Sequence, residues 1–370
     1  MTVDDIRLIV RLVRGDQPRI ARCLDDRPGA LDHLAEAAWT EGLAVVLLRA
    51  LRSLPPGAGV SGSRLEALES RRRTQERRAS AILGALDRLA AAFVAARQPF
   101  LLLKGPYLAA RYYGDVRGRE FVDLDLLVPA RDRARASRLL ESAGYARRSH
   151  VIGGEALTAT FVHGFDFADG DTSIDLHWRL LRHPSVRVDE RLLWSEQEAY
   201  TLGGRQFGVL SASHEVVFHA LSLLRDIERG RPKPKNIVDI IQVTADCDAS
   251  LDWDALFERG RDDGTFGPLV NVLALCLGIA GAHDLAPRLT RALESRASRL
   301  VHARPSARPG HFTPEWLCAG NRRWAARAYD TTPVAWFLWW AGSLPFRVAV
   351  HRHRAPPGRP SGEDAPGDCP

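Results

Sequence analysis

Apolar residues recur at spacings of three and four from residue 1 to about residue 97, most clearly in ALDHLAEAAWTEGLAVVLLRALRSL, and this period predicts helices. PPGAGVSGS (Pro55 to Ser63) interrupts them as a loop, and a long helix is expected from about Arg64 to Arg97. The pattern changes at Pro99. FLLLKG (Phe100 to Gly105) is a short apolar run ended by glycine and reads as a buried strand. PYLAARYYGD follows as a short helix with Pro106 in its first turn, where the missing N–H costs nothing. REFVDLDLLVP is a second strand, and ARDRARASRLLESAGY an amphipathic helix closed by Gly144. ATFVHGFDFADGDTSIDLHWRLL reads as a hairpin with strands at about Thr158 to Phe167 and Ser173 to Leu180, turned through ADGD. From about Ser211 the helical period returns in SHEVVFHALSLLRDIERG, KNIVDIIQVTAD and PLVNVLALCLGIAGAH.

These elements predict an α+β (mixed α/β) fold, a small sheet flanked by helical regions on both sides. The expected organisation is an N-terminal helical region over 1–97, a mixed core over 98–210 and a helical domain over 211–330. An apolar helix over 331–354 and a disordered tail over 355–370 follow. HARPSARPGHF reads as a linker, and the tail, rich in Pro and Gly, is too polar to bury a core. There is no internal repeat.

Composition adds three points. The net charge of +6 makes anionic partners admissible, but the bias is dispersed along the chain. RRRTQERR on the long helix is the densest charge run and reads as a solvated face, with RNA contact as the sharper alternative; no RNA-binding module accompanies it. The five cysteines include no closely spaced pair, which fits a reducing cytoplasm, and Asp4 and Asp5 argue against a signal segment at the start. TTPVAWFLWWAGSLPFRVAVHRHR is long enough to test as a membrane span, but Pro333, Pro345 and Arg347 interrupt it. It is expected to be a core or interfacial helix, with weak contact to a membrane surface and no transmembrane span.

The chemistry lies in the middle region. Side chains alternate across a strand, so Asp123 and Asp125 share one face and Leu124 and Leu126 the other. An edge-strand D-x-D can be a solvated face. At a cleft, two such carboxylates repel unless protonated, paired or bridged by a cation. Mg²⁺, or Mn²⁺, with its preference for oxygen, satisfies both. Asp175 is a third acid within an apolar strand, and His177 shares its face. Only Lys104, Lys233 and Lys235 are lysines among 51 basic residues, and Lys104 stands at a strand–glycine–helix turn where N–H groups and the helix dipole favour an anion.

LLLKGPYLAARYYGD, REFVDLDLLV, ESAGY and SIDLHWRL together resemble the bacterial uncharacterised nucleotidyltransferases, a group with the DNA polymerase β type palm, closely over residues 100 to 180 and loosely in the helical flanks. The resemblance implies a nucleotidyltransferase palm, an enzyme that moves an NMP from an NTP to an acceptor hydroxyl. It implies that Asp123, Asp125 and Asp175 bind the metal, Asp175 also assisting deprotonation of the acceptor. It implies further that Gly105 lets backbone approach the triphosphate while Lys104 and Arg119 neutralise phosphate charge. His177 is counted with this nucleotide site. The Gly-Ser turn of the wider superfamily is replaced here by Lys-Gly-Pro, so nucleotide preference does not carry over. Lys235, four residues from Asp239, is read as a surface pair or as a second lysine reaching the triphosphate from the helical domain. His214, Glu215 and His219 lack the i, i+4 spacing of a zinc helix. The acceptor stays open among peptide or protein, RNA and small molecules, with natural-product tailoring and toxin-like roles both compatible. A degenerate nucleotide-binding or interaction protein and a nucleotide-sugar-dependent glycosyltransferase are the rival readings.

Overall fold

The computed structural model describes residues 1–16, 30–53, 62–151, 153–230, 232–296, Trp324 and 327–329. The expectations for Cys23, Cys318 and Cys369, for the linker, for the apolar segment 331–354 and for the tail lie outside these residues.

Helix α1 (Val3–Arg14) opens on a reciprocal cap. The Thr2 hydroxyl accepts from the Asp5 N–H and the Asp5 carboxylate accepts from the Thr2 N–H. Helices α2 (Ala30–Glu41) and α3 (Ala44–Leu51) follow, separated at Gly42, whose φ of 69° breaks a pattern that reads as continuous in sequence. Helix α4 (Gly62–Ala95) matches the long helix expected, starting two residues earlier. Its arginine run is not one open charged face: Arg71 pairs with Glu120, and Arg72 with both Glu69 and Glu76.

The mixed core begins with β1 (Leu101–Leu102), α5 (Pro106–Tyr113) and β2 (Asp123–Leu127). Then come α6 (Arg133–Ser142), β3 (Ala146–Arg147), α7 (Glu155–Phe161), β4 (Gly164–Ala168) and β5 (Ser173–His177). Helix α8 (Glu190–Ser195) leads to β6 (Glu198–Leu202) and β7 (Arg205–Val209). The seven strands form one mixed sheet in the order β3-β4-β5-β2-β1-β7-β6. Two elements differ from expectation. Glu155–Phe161 is helical: Glu155, Ala156 and Leu157 open it as good helix formers after Gly154, and Val162 returns to extended backbone, so the first hairpin strand begins only at Gly164. The β6–β7 hairpin, turning on Gly203 and Gly204 with φ of 58° and 81°, was not anticipated, although a two-residue Gly-Gly turn between strands is its ordinary signature.

Leu124, Leu126, Ile174 and Leu176 are fully buried in one cluster with Leu86, Leu89 and Phe93 of α4 and Leu140 of α6. Each is worth roughly 1.5–3 kcal/mol of burial. A one-residue slip of β2 or β5 would drive their aspartates into this layer, so the leucines set the register that positions the acids. The other side of the sheet meets a helical body of α9 (Ala212–Glu228), α10 (Pro234–Cys247), α11 (Trp253–Asp263), α12 (Phe266–Ala280) and α13 (Pro287–Glu294). Helices α1 and α3 share its core through Ile9 and Leu47, packed with Leu221, Ile240 and Leu273. Among the described residues no helix is long and apolar enough to cross a membrane.

Candidate active site

Strands β2 and β5 are parallel and in register, with Asp125 beside Asp175. Strand β4 runs antiparallel to β5 and places Asp166 opposite Asp175 and Gly164 opposite His177. Neighbouring residues across a ladder point to the same face, so three strands present Asp125, Asp166 and Asp175 in a row. The Asp125 carboxylate accepts a hydrogen bond of 3.1 Å from Nε2 of His177, and both residues are buried. Ligand atoms of Asp125, Asp175 and His177 lie within 4.8 Å of one another, which can hold one metal ion. Two carboxylates and an imidazole form a donor set that suits a divalent cation and relieves the repulsion between adjacent acids. Asp123 stands one step earlier on the strand, level with Ser173, and is not in that group.

The turn before α5 supplies the cationic side. Leu103 N–H donates to the Asp125 carbonyl at 3.1 Å, tying β1 to β2 just before Lys104. Gly105 has a φ of 65° and a ψ of −125°, and a Cβ there would come within 3.0 Å of the Asp123 carbonyl. Only glycine lets the two backbones meet so closely. The Lys104 ammonium sits 4.6 Å from the centre of the Phe218 ring on α9, a cation–π contact. Burial lowers its pKa, and the Asp125 charge opposes that shift.

Helix α9 closes the cleft. Arg225, Glu228 and Arg229, spaced i, i+3, i+4 on one helix face, line it together with Lys104, Asp125 and Asp175. Arg225 donates to Nε2 of His163 at 2.5 Å, and the His163 and His177 rings lie 5.5 Å apart. Counting its open mouth, the cleft has a volume of about 880 Å³, and Tyr329, stacked on His183 at 3.8 Å, forms part of its wall. Asp166, Arg225, Glu228 and Arg229 were not singled out from sequence. Asp166 alternates with Gly164 in GFDFA, and the α9 trio shows helical spacing in RDIERG; either pattern becomes informative only once its partner strand is known.

The remaining expected site residues lie elsewhere. Arg119 is buried and clamps Asp239 of α10, with Nε to Oδ1 at 2.7 Å and Nη2 to Oδ2 at 2.5 Å. Tyr113 donates to the same carboxylate at 2.7 Å. Burial pushes the Asp239 carboxyl up, and the Arg119 guanidinium more than offsets it, leaving the pKa below its usual value. Asp239 is thus bound to Arg119. Lys235 points to the Glu120 carbonyl, 3.2 Å from Nζ, and burial lowers its pKa to about 8, with the Arg119 charge adding to the shift. Glu215 accepts from the hydroxyls of Tyr107 and Tyr112 at 2.9 and 2.6 Å, a buried knot between α5 and α9; with His214 and His219 it forms no metal group among the described residues.

Asp125 and Asp175, side by side on parallel strands, share one cleft with Lys104 of the Lys-Gly turn and Arg225 of α9. The family described as uncharacterised nucleotidyltransferase matches residues 28–281, more than half of the chain; the protein belongs to that family and is an enzyme of that class. No curated protein matches it. Two solved structures are similar. One is the crystal structure of ANT(2″)-Ia in complex with adenylyl-2″-tobramycin, 17% identical, covering 48% of this chain and 97% of its own, with a TM-score of 0.34. The other is the solution structure of the antibiotic-resistance factor ANT(2″)-Ia, 15% identical, covering 58% of this chain and 91% of its own, with a TM-score of 0.29.

Proposed function

We propose that the protein moves an NMP from an NTP to an acceptor hydroxyl in a metal-dependent reaction centred on Asp125 and Asp175. The observation that carries this reading is the parallel, in-register placement of those two acids with His177, facing Lys104 and the α9 arginines. Asp125, Asp175 and His177 would hold Mg²⁺ or Mn²⁺, with Asp123 at the strand entrance as a further carboxylate. The ion would supply neutralisation of phosphate charge at the α-phosphate.

The chain's own groups perform the rest. Lys104, Arg225 and Arg229 bind the triphosphate oxygens, and Gly105 opens the backbone of the turn towards them. Asp175 takes the proton of the acceptor hydroxyl. The acceptor oxygen forms its bond to the α-phosphorus while the bond to the bridging oxygen breaks, and pyrophosphate leaves with that electron pair. Positioning and fixed charge carry most of the acceleration, since no covalent intermediate with the protein is required. In this reading Arg119 is a positioning residue that holds the strand entrance against α10, and Lys235 sits behind it. His163 orients Arg225.

The test uses purified protein, Mg²⁺ or Mn²⁺, and each NTP labelled at the α-phosphate, incubated with fractionated bacterial extract. Label should move into one fraction with wild type and not with Asp125→Asn. Equal labelling by both would sink the assignment.

A further inference from the structure

A second cavity adjoins the acid cleft. It lies between the end of β2, the segment that follows β5 and helix α8, and has a volume of about 820 Å³ with its mouth included. Leu181 and Arg182 line both cavities, so the two share a wall. Its interior is apolar and aromatic, built from Leu127, Trp178, Leu180, Leu193 and Trp194. Trp178 is buried, and its indole N–H has no acceptor among the described residues. A buried donor left without a partner costs about 1–3 kcal/mol, a penalty that a ligand acceptor would remove.

The rim is cationic. Arg179, Arg182 and Arg187 border the opening with one acid among them, Glu190, whose charge acts on Arg179. Glu190 is the acid on that wall, and its carboxylate accepts from the Ala130 N–H at 2.8 Å. Burial lowers the pKa of Arg179 and Arg182, and each is lowered further by a neighbouring arginine, Arg133 and Arg179 respectively. Three arginines against one acid leave the rim net positive, which favours an anion.

We propose that this cavity is the acceptor subsite, and that it takes a small hydroxylated molecule with an aromatic or apolar body and an anionic group. The body lies against Trp178 and Trp194, the anion at Arg179 and Arg187, and the hydroxyl reaches Asp175 past Leu181 and Arg182. Without its open mouth the cavity holds about 260 Å³, room for a small molecule rather than a polymer, and the basic rim is too short to track a nucleic-acid backbone. The word acceptor rests on the nucleotidyl-transfer reading; the pocket and its ligand class do not.

The experiment uses the full chain and two fluorescent probes of matched shape, anionic 8-anilinonaphthalene-1-sulfonate and neutral N-phenyl-1-naphthylamine. Wild type should bind the sulfonate saturably. The Arg179→Ala/Arg187→Ala double variant, altered only at exposed positions, should weaken it at least tenfold and leave the neutral probe within twofold. Val188→Trp, which fills the cavity, should weaken both, and saturating ATP should displace neither. Unchanged sulfonate affinity in the double variant, or displacement by ATP, overturns the proposal. If these probe results hold while no NTP label is ever transferred, the ligand pocket stands and only its role as acceptor site falls. If label is transferred but the arginine variant binds the sulfonate normally, the pocket falls and the transfer reading stands.

Discussion

At the scale of single residues, the site is a problem of unequal neighbours. Asp125 and Asp175 stand side by side, held there by leucines on the opposite face of the same strands. Asp125→Asn keeps size and shape and removes the charge that fits a cation. Turnover should fall by at least about 100-fold, measured as label transfer, while circular dichroism stays that of wild type. Gly105 is a different kind of residue. Its backbone lies where an L side chain is strained, and a Cβ would press within 3.0 Å of the Asp123 carbonyl. Gly105→Ala should cost about 1–3 kcal/mol in urea unfolding and also reduce turnover, because the strain relaxes by moving the turn that carries Lys104. A variant with normal stability and normal rate would show that the turn does not need glycine.

At the scale of elements, the ion pair between Arg119 and Asp239 joins the entrance of β2 to α10, 120 residues away in the chain. Both groups are buried, so removing one leaves the other charged without a partner. Asp239→Asn should lower stability by about 3–5 kcal/mol, read as a fall in Tm, and a double replacement by apolar residues should recover part of it. This pair also marks what a sequence leaves open. Period and alternation suffice for α4, α9, α10 and α12, and for the shared face of Asp123 and Asp125, because those are properties of one segment. They say nothing about which distant segment a charge will meet. The resemblance implies a phosphate role for Arg119; the carboxylate its guanidinium pairs with lies far off in NIVDIIQ, where Asp239 reads as the i+4 partner of Lys235. In the same way α7 is hidden by Thr158, Thr160 and Phe161, which suit a strand, although Glu155, Ala156 and Leu157 open it as a helix. The acid of β4, Asp166, is legible as chemistry only through the antiparallel register with β5.

At the scale of the whole molecule, the buried cations determine how stability responds to pH. Burial lowers the Lys235 pKa to about 8, below its value in the unfolded chain. Between about pH 8 and the ordinary lysine pKa near 10.4, the unfolded state therefore binds more protons than the folded one, and stability from this group rises with pH. Burial, with Arg259 adding, lowers the His214 pKa to about 4. Between about pH 4 and 6.5 the unfolded state again holds the extra proton, so this group's contribution falls as the solution is acidified. Other carboxylates titrate in the lower window, so the comparison must be with variants. Urea unfolding of wild type, Lys235→Met and His214→Gln across pH 5 to 10 separates the two effects. Lys235→Met should lose the rise above pH 8 and keep the acid limb, and His214→Gln should do the reverse. Parallel curves for all three proteins would mean that neither group changes its proton affinity on folding. The Lys235 assignment behind Arg119, rather than on the solvated face of α10, would then fall, because burial away from water is what keeps the amine unprotonated in the alkaline window.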